Sequence, residues 1–257
     1  MLLLSVCLFQ TTWLQGQDSD SPNRLTILSY NIHHGEGTDG QIDLHRLARV
    51  IRQTDSDLVA IQEVDRNTQR TGLVDQTETL ATQTGLHGRF AKQLDYDGGE
   101  YGQAILSKHP LEALSVHWLP GKPDRERRIV GVADIQFREI RLRFATTHLH
   151  HARGDIRREQ IEELNRLFAQ DSLPVILAGD FNATPDSLAI HKLKQKWRIA
   201  AFGSLLTFPA NSPKRQLDYV AMYPANSWRI VNTEVVDESI ASDHRPLLVE
   251  IEWASRN

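Results

Sequence analysis

The sequence predicts an α/β fold, mixed β-sheets covered by helices, and three observations carry that prediction. Short apolar runs rich in β-branched residues recur along the chain, beginning at Leu25-Thr-Ile-Leu, Leu58-Val-Ala-Ile, Ile129-Val-Gly-Val and Pro174-Val-Ile-Leu. Between them lie segments whose apolar residues return at helical spacing, such as Ile156, Ile161, Leu164, Leu167 and Phe168. No low-complexity linker or short-period repeat interrupts the alternation, so residues 24–253 are expected to form one domain.

The first strand is expected over Leu25 to His33, opening into a glycine-rich loop at 35–40. Asp43 is placed to cap a helix carrying Leu44, Leu47, Val50 and Ile51 on one face. Residues 57–65 form a second buried strand with Glu63 near its end, and 75–85 a helix closed by Gly85. Strands bounded by Gly98-Gly99 and Lys108-His109-Pro110 fill 89–120. Residues 129–136 and 140–149 pair as a hairpin about Arg138-Glu139, and the second strand ends in Thr147-His148. An amphipathic helix over 155–170 follows, then a strand over 174–182 and a helix over 187–196. The last strands carry Leu217-Asp218-Tyr219-Val220 and, after Ser242-Asp243-His244, residues 247–253.

Composition narrows the function. With 29 basic against 33 acidic residues the net charge is -4, which argues against a sequence-independent grip on long nucleic acid. Arginines crowd the stretch from Arg125 to Arg158, diluted by acidic neighbours such as Asp134 and Glu139. The single cysteine, Cys7, rules out a disulfide framework and a thiolate metal site. Residues 1–9 are nearly all apolar and lead into a polar stretch, so 1–20 is expected to be an export signal or a disordered N-terminus. The apolar part is too short to span a bilayer. The chain is therefore expected to be exported, to the periplasm or outside the cell, and to be a monomer.

The strands end in groups that bind metals or phosphates: Asn31, Glu63, His148, Asp180 with Asn182, Asp218, and Asp243 with His244. Alternation sends Asp180 and Asn182 one way and Phe181 the other. Gly179 permits a close approach of another backbone, and Thr184-Pro185 stops the strand. Oxygen ligands and amides without thiolates suit Mg²⁺ or Mn²⁺. Each position also has an ordinary explanation: a strand ending in an Asx turn, a satisfied core histidine, an N-cap before a proline turn. Their order and positions together carry the functional reading.

That order, Ser29-Tyr-Asn31-Ile, Ile61-Gln-Glu63-Val, Tyr101-Gly-Gln-Ala-Ile-Leu-Ser107, Thr147-His148, Gly179-Asp180-Phe-Asn182, Leu217-Asp218-Tyr-Val and Ser242-Asp243-His244, resembles the endonuclease/exonuclease/phosphatase superfamily over residues 24 to 253. The resemblance implies a DNase I-like four-layer α/β sandwich, two mixed sheets packed face to face with helices outside. It implies hydrolysis of a phosphoester by an activated water. Glu63 would be the principal metal ligand with Asn31 beside it, and Asp243 would ligate the metal or hold its water. Asp180 would accept the proton of the attacking water, and Asn182 would hold the phosphate or that water. His148 would donate to a non-bridging oxygen, while His244, oriented by Asp218, would stabilise charge on phosphorus or assist the leaving oxygen. Arg128 lies where many bacterial members carry a Glu-x-Arg arginine and is a candidate phosphate clamp.

Two departures from the family pattern are informative. His33 stands where one branch has a carboxylate, with His34 after it, so a second oxygen-ligated metal site of that type is in doubt, although histidine accepts a transition metal. No insertion suggests a DNA wedge or a membrane hairpin, and Trp118 alone is a candidate exposed aromatic, a position that core packing explains equally well. The chain is thus expected to be a divalent-metal-dependent phosphoesterase acting on a phosphodiester, in nucleic acid, a lipid head group or a small molecule. The alternative is a catalytically silent phosphate- or lipid-binding module on the same scaffold, disfavoured because Glu63, Asp180, Asn182 and His244 are all present.

Overall fold

Two six-stranded sheets, each mixing parallel and antiparallel neighbours, form the middle of the molecule in a computed structural model. It describes residues 23–254 apart from 123–125, 170 and 201–204, so the export segment expected over 1–20 lies outside the described residues.

The first sheet is built from β1 (Arg24–Asn31), β2 (Leu58–Arg66), β3 (His87–Tyr96), β4 (Gly99–Ser107), β11 (Trp228–Val235) and β12 (Leu247–Trp253), in the order β11-β12-β1-β2-β4-β3. The second is built from β5 (Leu111–Trp118), β6 (Ile129–Phe137), β7 (Ile140–His148), β8 (Val175–Asp180), β9 (Arg198–Ile199) and β10 (Asp218–Tyr223), in the order β5-β6-β7-β8-β10-β9. Only β1·β2 and β7·β8 run parallel. The helices α1 (Leu44–Gln53) and α2 (Gln76–Thr84) cover the first sheet, and α3 (Gly154–Phe168) and α4 (Leu188–Lys194) the second.

Three apolar layers follow from alternation along each strand. Leu25, Ile27, Leu58, Ala60, Phe144, Ile176, Val220 and Val249 fill the space between the sheets. Leu28, Val59 and Ile61 turn outward onto Leu47, Ile51 and Leu80 of α1 and α2. Val175, Leu177 and Tyr219 turn the other way onto Ile161, Leu164 and Leu193 of α3 and α4. The runs without clean polar alternation, such as Val175–Ala178, are buried on both faces.

Helix starts follow the capping chemistry expected of them. Asp43 accepts from Arg46 N, Asp75 from Glu78 N and Ser187 from Ile190 N. Gly85 ends α2 at φ 73°. The first strand stops two residues earlier than expected, at Asn31, because His33 and His34 enter a tight 3₁₀ turn with left-handed backbone, φ 46° and 45°. Trp118 is exposed, with the Arg127 guanidinium 4.2 Å from its ring centre, and Tyr96 is another exposed aromatic.

Candidate active site

The same alternation that fills the inter-sheet core delivers polar groups to its open end. Leu25 and Ile27 face that core, and stepping by two along β1 reaches Asn31. Leu142 and Phe144 lead along β7 to Thr146 and His148, Ile176 and Ala178 along β8 to Asp180, and Met222 and Val220 back along β10 to Asp218. Strand register sets His148 beside Asp180 and Asp180 beside Asp218. Gly179 makes this register possible: a Cβ there would lie 1.9 Å from Thr147 O.

Glu63 arrives differently. Leu58, Ala60 and Gln62 face the inter-sheet layer, so strict alternation would turn Glu63 outward with Val59 and Ile61. A bulge in the pairing with β4, between Gln62 and Val64, breaks the alternation, and Glu63 adopts φ 58°. Its Oε1 then accepts from Asn31 Nδ2 at 3.0 Å, while the same nitrogen donates to Asp180 Oδ2 at 3.2 Å. Asn31 Oδ1 accepts from His33 N at 3.1 Å. Asn31 is thus the bridge between two carboxylates, with its nitrogen facing them and its oxygen held by backbone.

Asp180 is buried, and Asn182 N donates to its Oδ1 at 2.7 Å. Burial pushes its carboxyl up, to about 7, with the His244 charge opposing and Asp218 adding to the push. His244 Nδ1 lies 2.9 Å from Asp218 Oδ2, and its Nε2 3.7 Å from Asp180 Oδ2. Burial alone would lower the His244 imidazole, but Asp218 and then Asp180 lift it to about 10, so it is held as the cation. The turn that carries it is fastened to β1 by Ser242 Oγ donating to Asn31 O at 2.7 Å.

His148 is the opposite case. Arg128 Nη1 sits 3.3 Å from its Nδ1 and the Asn182 amide nitrogen 2.9 Å from its Nε2; both are donors, so the neutral ring accepts from one of them and carries its proton on the other nitrogen. Burial and then the Arg128 charge hold this imidazole well below its ordinary range. Its Nε2 is 3.5 Å from Asp180 Oδ2, and Asn182 Nδ2 donates to Leu149 O at 3.1 Å. Two histidines on one site therefore hold opposite protonation states, one a cation and one neutral.

Arg128 is 3% exposed, with its Nη1 3.3 Å from His148 Nδ1 and 3.0 Å from the Glu126 carboxylate. Asp243 is half-buried; its carbonyl accepts from Ala210 N and its Oδ1 lies 3.4 Å from Ser242 Oγ. Several supporting residues were given no role by the sequence. Gln62 Nε2 donates to Thr146 Oγ1, which donates to Gln103 Oε1, a buried strut joining the sheets beneath the site. Phe208 lies 4.8 Å from the His244 ring. Gln76 ties the 33–35 turn by donating to His34 O at 2.7 Å.

The donor set fits a hard divalent cation. Asp180 and Asp218 place carboxylate oxygens within 4.8 Å of one another, and Asp218 Oδ1 is buried with no hydrogen-bond partner. A buried carboxylate oxygen that lacks a donor, beside a carboxyl pushed up by burial, makes a region that gains from a positive charge. Glu63 and Asn31 would hold the cation from the first sheet and Asp180 would face it from the second.

Comparison with known proteins gives a consistent family signal. A family model described as Endonuclease/Exonuclease/phosphatase family matches residues 28–244. Among solved structures, an endonuclease/exonuclease/phosphatase from Beutenbergia cavernae DSM 12333 superposes with TM-score 0.73 at 20% identity, over 91% of this chain and 72% of that one. The mannosyl-6-phosphatase Bt3783 of Bacteroides thetaiotaomicron VPI-5482 does so with TM-score 0.72 at 20% identity, over 89% and 100%. The human Nocturnin catalytic domain, solved with a bound sulfate anion, does so with TM-score 0.65 at 16% identity, over 90% and 95%. At these identities the structural likenesses establish the sandwich fold.

Proposed function

The chain belongs to the endonuclease/exonuclease/phosphatase family, whose members hydrolyse phosphoester bonds with divalent metals, and from that premise we propose that it is a divalent-metal-dependent phosphodiesterase using an activated water. The observation that carries the proposal is the convergence of Asn31, Glu63, His148, Asp180, Asn182, Asp218 and His244 from two sheets onto one connected hydrogen-bond network. A Mg²⁺ or Mn²⁺ ion, when bound, withdraws electron density from a phosphoryl oxygen and offsets its growing charge.

The side chains divide the remaining work. Asp180 accepts the proton of the attacking water; a buried carboxyl lifted to about 7 is a stronger base than an exposed one and still ionised at mildly alkaline pH. With Nδ1 accepting from Arg128, neutral His148 would offer its Nε2 proton to a non-bridging oxygen in place of its contact with Asn182 Nδ2, and Asn182 holds its place through Leu149 O. The His244 cation, kept charged by Asp218, faces the charge that accumulates in the transition state. The structural relatives include a mannosyl-6-phosphatase and a catalytic domain solved with a bound sulfate, a tetrahedral anion like phosphate, which supports a phosphoester substrate. The net charge of -4 favours a small or lipid-derived phosphodiester over long duplex nucleic acid.

The test is hydrolysis of bis-p-nitrophenyl phosphate against p-nitrophenyl phosphate, with and without EDTA. Activity on the diester that EDTA removes and Mg²⁺ or Mn²⁺ restores is expected, with loss of at least about 10³-fold in Asp180→Asn. Undiminished diester hydrolysis by Asp180→Asn, or in EDTA, rejects the mechanism.

A further inference from the structure

We propose that His33, His34 and Glu63 form a two-imidazole, one-carboxylate site that selects a first-row transition-metal ion over Mg²⁺. The proposal deepens the hydrolase reading and rests on it for Glu63 as a cation ligand; the histidines are this chain's own addition.

Four observations meet here. The ligand atoms of the three side chains all lie within 4.8 Å of one another, at a half-buried cavity of about 260 Å³ that Arg70, Tyr96 and Tyr101 also line. All three residues hold left-handed backbone, φ 46°, 45° and 58°, a conformation that costs a non-glycine residue on the order of 1–2 kcal/mol. The turn is held in that shape from outside itself: Gln76 Nε2 binds His34 O at 2.7 Å, Asn31 Oδ1 binds His33 N, and Asp43 N binds Gly35 O at 3.1 Å. Third, His33 Nδ1 lies 3.3 Å from Glu36 O, and a carbonyl can only accept, so the neutral ring leaves Nε2 as its lone pair. An imidazole that donates one N–H to a backbone carbonyl and keeps the other nitrogen free is the arrangement of a metal-ligating histidine. Fourth, His34 Nε2 is 3.5 Å from the Glu36 carboxylate, an outer partner of the kind that orients a ligating ring, and the two rings stand 4.5 Å apart.

The cation nearest this cavity does not forbid a metal. Arg70 spends its charge on Asp65, with Nε and Nη2 at 2.7 and 2.8 Å from the two carboxylate oxygens. Donor type then decides the ion. Mg²⁺ wants oxygen ligands in an octahedron, whereas imidazole nitrogen favours Mn²⁺, Co²⁺ and Zn²⁺ in rising order of affinity.

The experiment is a Co²⁺ titration of the full chain stripped with EDTA and dialysed, read by visible ligand-field absorption, with Mg²⁺ as competitor. One Co²⁺ per chain is expected, bound at least about tenfold more tightly than Mg²⁺. His33→Asn and His34→Asn should each weaken Co²⁺ at least about tenfold, the loss that even an outer partner of a ligand brings. Asparagine tolerates left-handed backbone better than histidine, so the metal-free variants should melt no lower than the parent. Should a variant still fail to fold, the parent's Co²⁺ form should show two hyperfine-shifted imidazole N–H proton resonances.

Equal Co²⁺ affinity in the double variant, a parent that prefers Mg²⁺, or one or no shifted imidazole resonance overturns the proposal. One shifted resonance would leave only one of the two histidines on the ion. Phosphoester cleavage by the parent, assayed beside the titration, separates the two readings: histidine-dependent Co²⁺ binding in a parent that cleaves no phosphoester keeps this site and rejects the hydrolase, and cleavage with histidine-independent Co²⁺ binding does the reverse.

Discussion

Replacing Asp218 by asparagine isolates the charge on His244. The carboxylate Oδ2 is 2.9 Å from Nδ1, both side chains are buried, and the Asp180 carboxylate stands 3.7 Å from the far nitrogen. Together they lift an imidazole of ordinary value 6.5 to about 10, and at about 1.4 kcal/mol per tenfold this is a preference on the order of 5 kcal/mol for the cation. Asparagine keeps an oxygen that can accept from Nδ1–H but removes the nearer charge. His244 should then titrate near or below neutrality. The transition state loses one charged donor, an effect of roughly 10²–10³ in kcat, with KM little moved because the ground-state phosphate contacts remain. Stability should change little: the variant also removes a buried carboxylate whose Oδ1 has no partner. The assay pairs diester hydrolysis with NMR titration of the His244 ring protons in chelator. A parent His244 that titrates at its ordinary value, or an Asp218→Asn enzyme within about threefold of the parent, refutes the reasoning.

Other substitutions test neighbouring parts of the argument. Because the folded Asp180 carboxyl is raised above its unfolded value, its contribution to stability is full below about 4 and is lost as pH rises through about 7. In chelator, Asp180→Asn should therefore melt higher than the parent at pH 8 and no higher at pH 4; equal melting at both values contradicts the burial of an ionised group. Gly179→Ala places a Cβ 1.9 Å from Thr147 O, so it should cost at least the ~1–3 kcal/mol typical of overpacking and separate β7 from β8, measured by urea denaturation. Arg128→Met removes the donor to His148 Nδ1 while filling similar space. A fall of about tenfold in kcat that moves the alkaline and acid limbs of the pH profile is expected, and an unmoved profile would show that Arg128 does not set the His148 tautomer.

Much of this molecule is legible locally. Period-two rows such as Ile176-Ala178-Asp180 fix both the strand and the direction of the carboxylate at its end, because alternation is a property of any extended chain. Asp43, Asp75, Ser187 and Gly85 mark helix ends through bonds to residues three or four positions away. The order of the polar strand ends also carried the family resemblance. What residue order could not supply was set by partners distant in the chain. Glu63 joins Asn31 only because pairing with β4 forces a bulge that reverses its alternation. Arg128, a candidate phosphate clamp by its place in the sequence, is buried against His148 and Glu126, contacts that residue order does not announce. The protonation of His148 and His244 depends on which charge each ring meets across the inter-sheet layer, a guanidinium for one and two carboxylates for the other. Sequence alone determined which groups reach the edge of the sheets; tertiary packing decided their charge, tautomer and aim, because desolvation and neighbouring charge are properties of the assembled site.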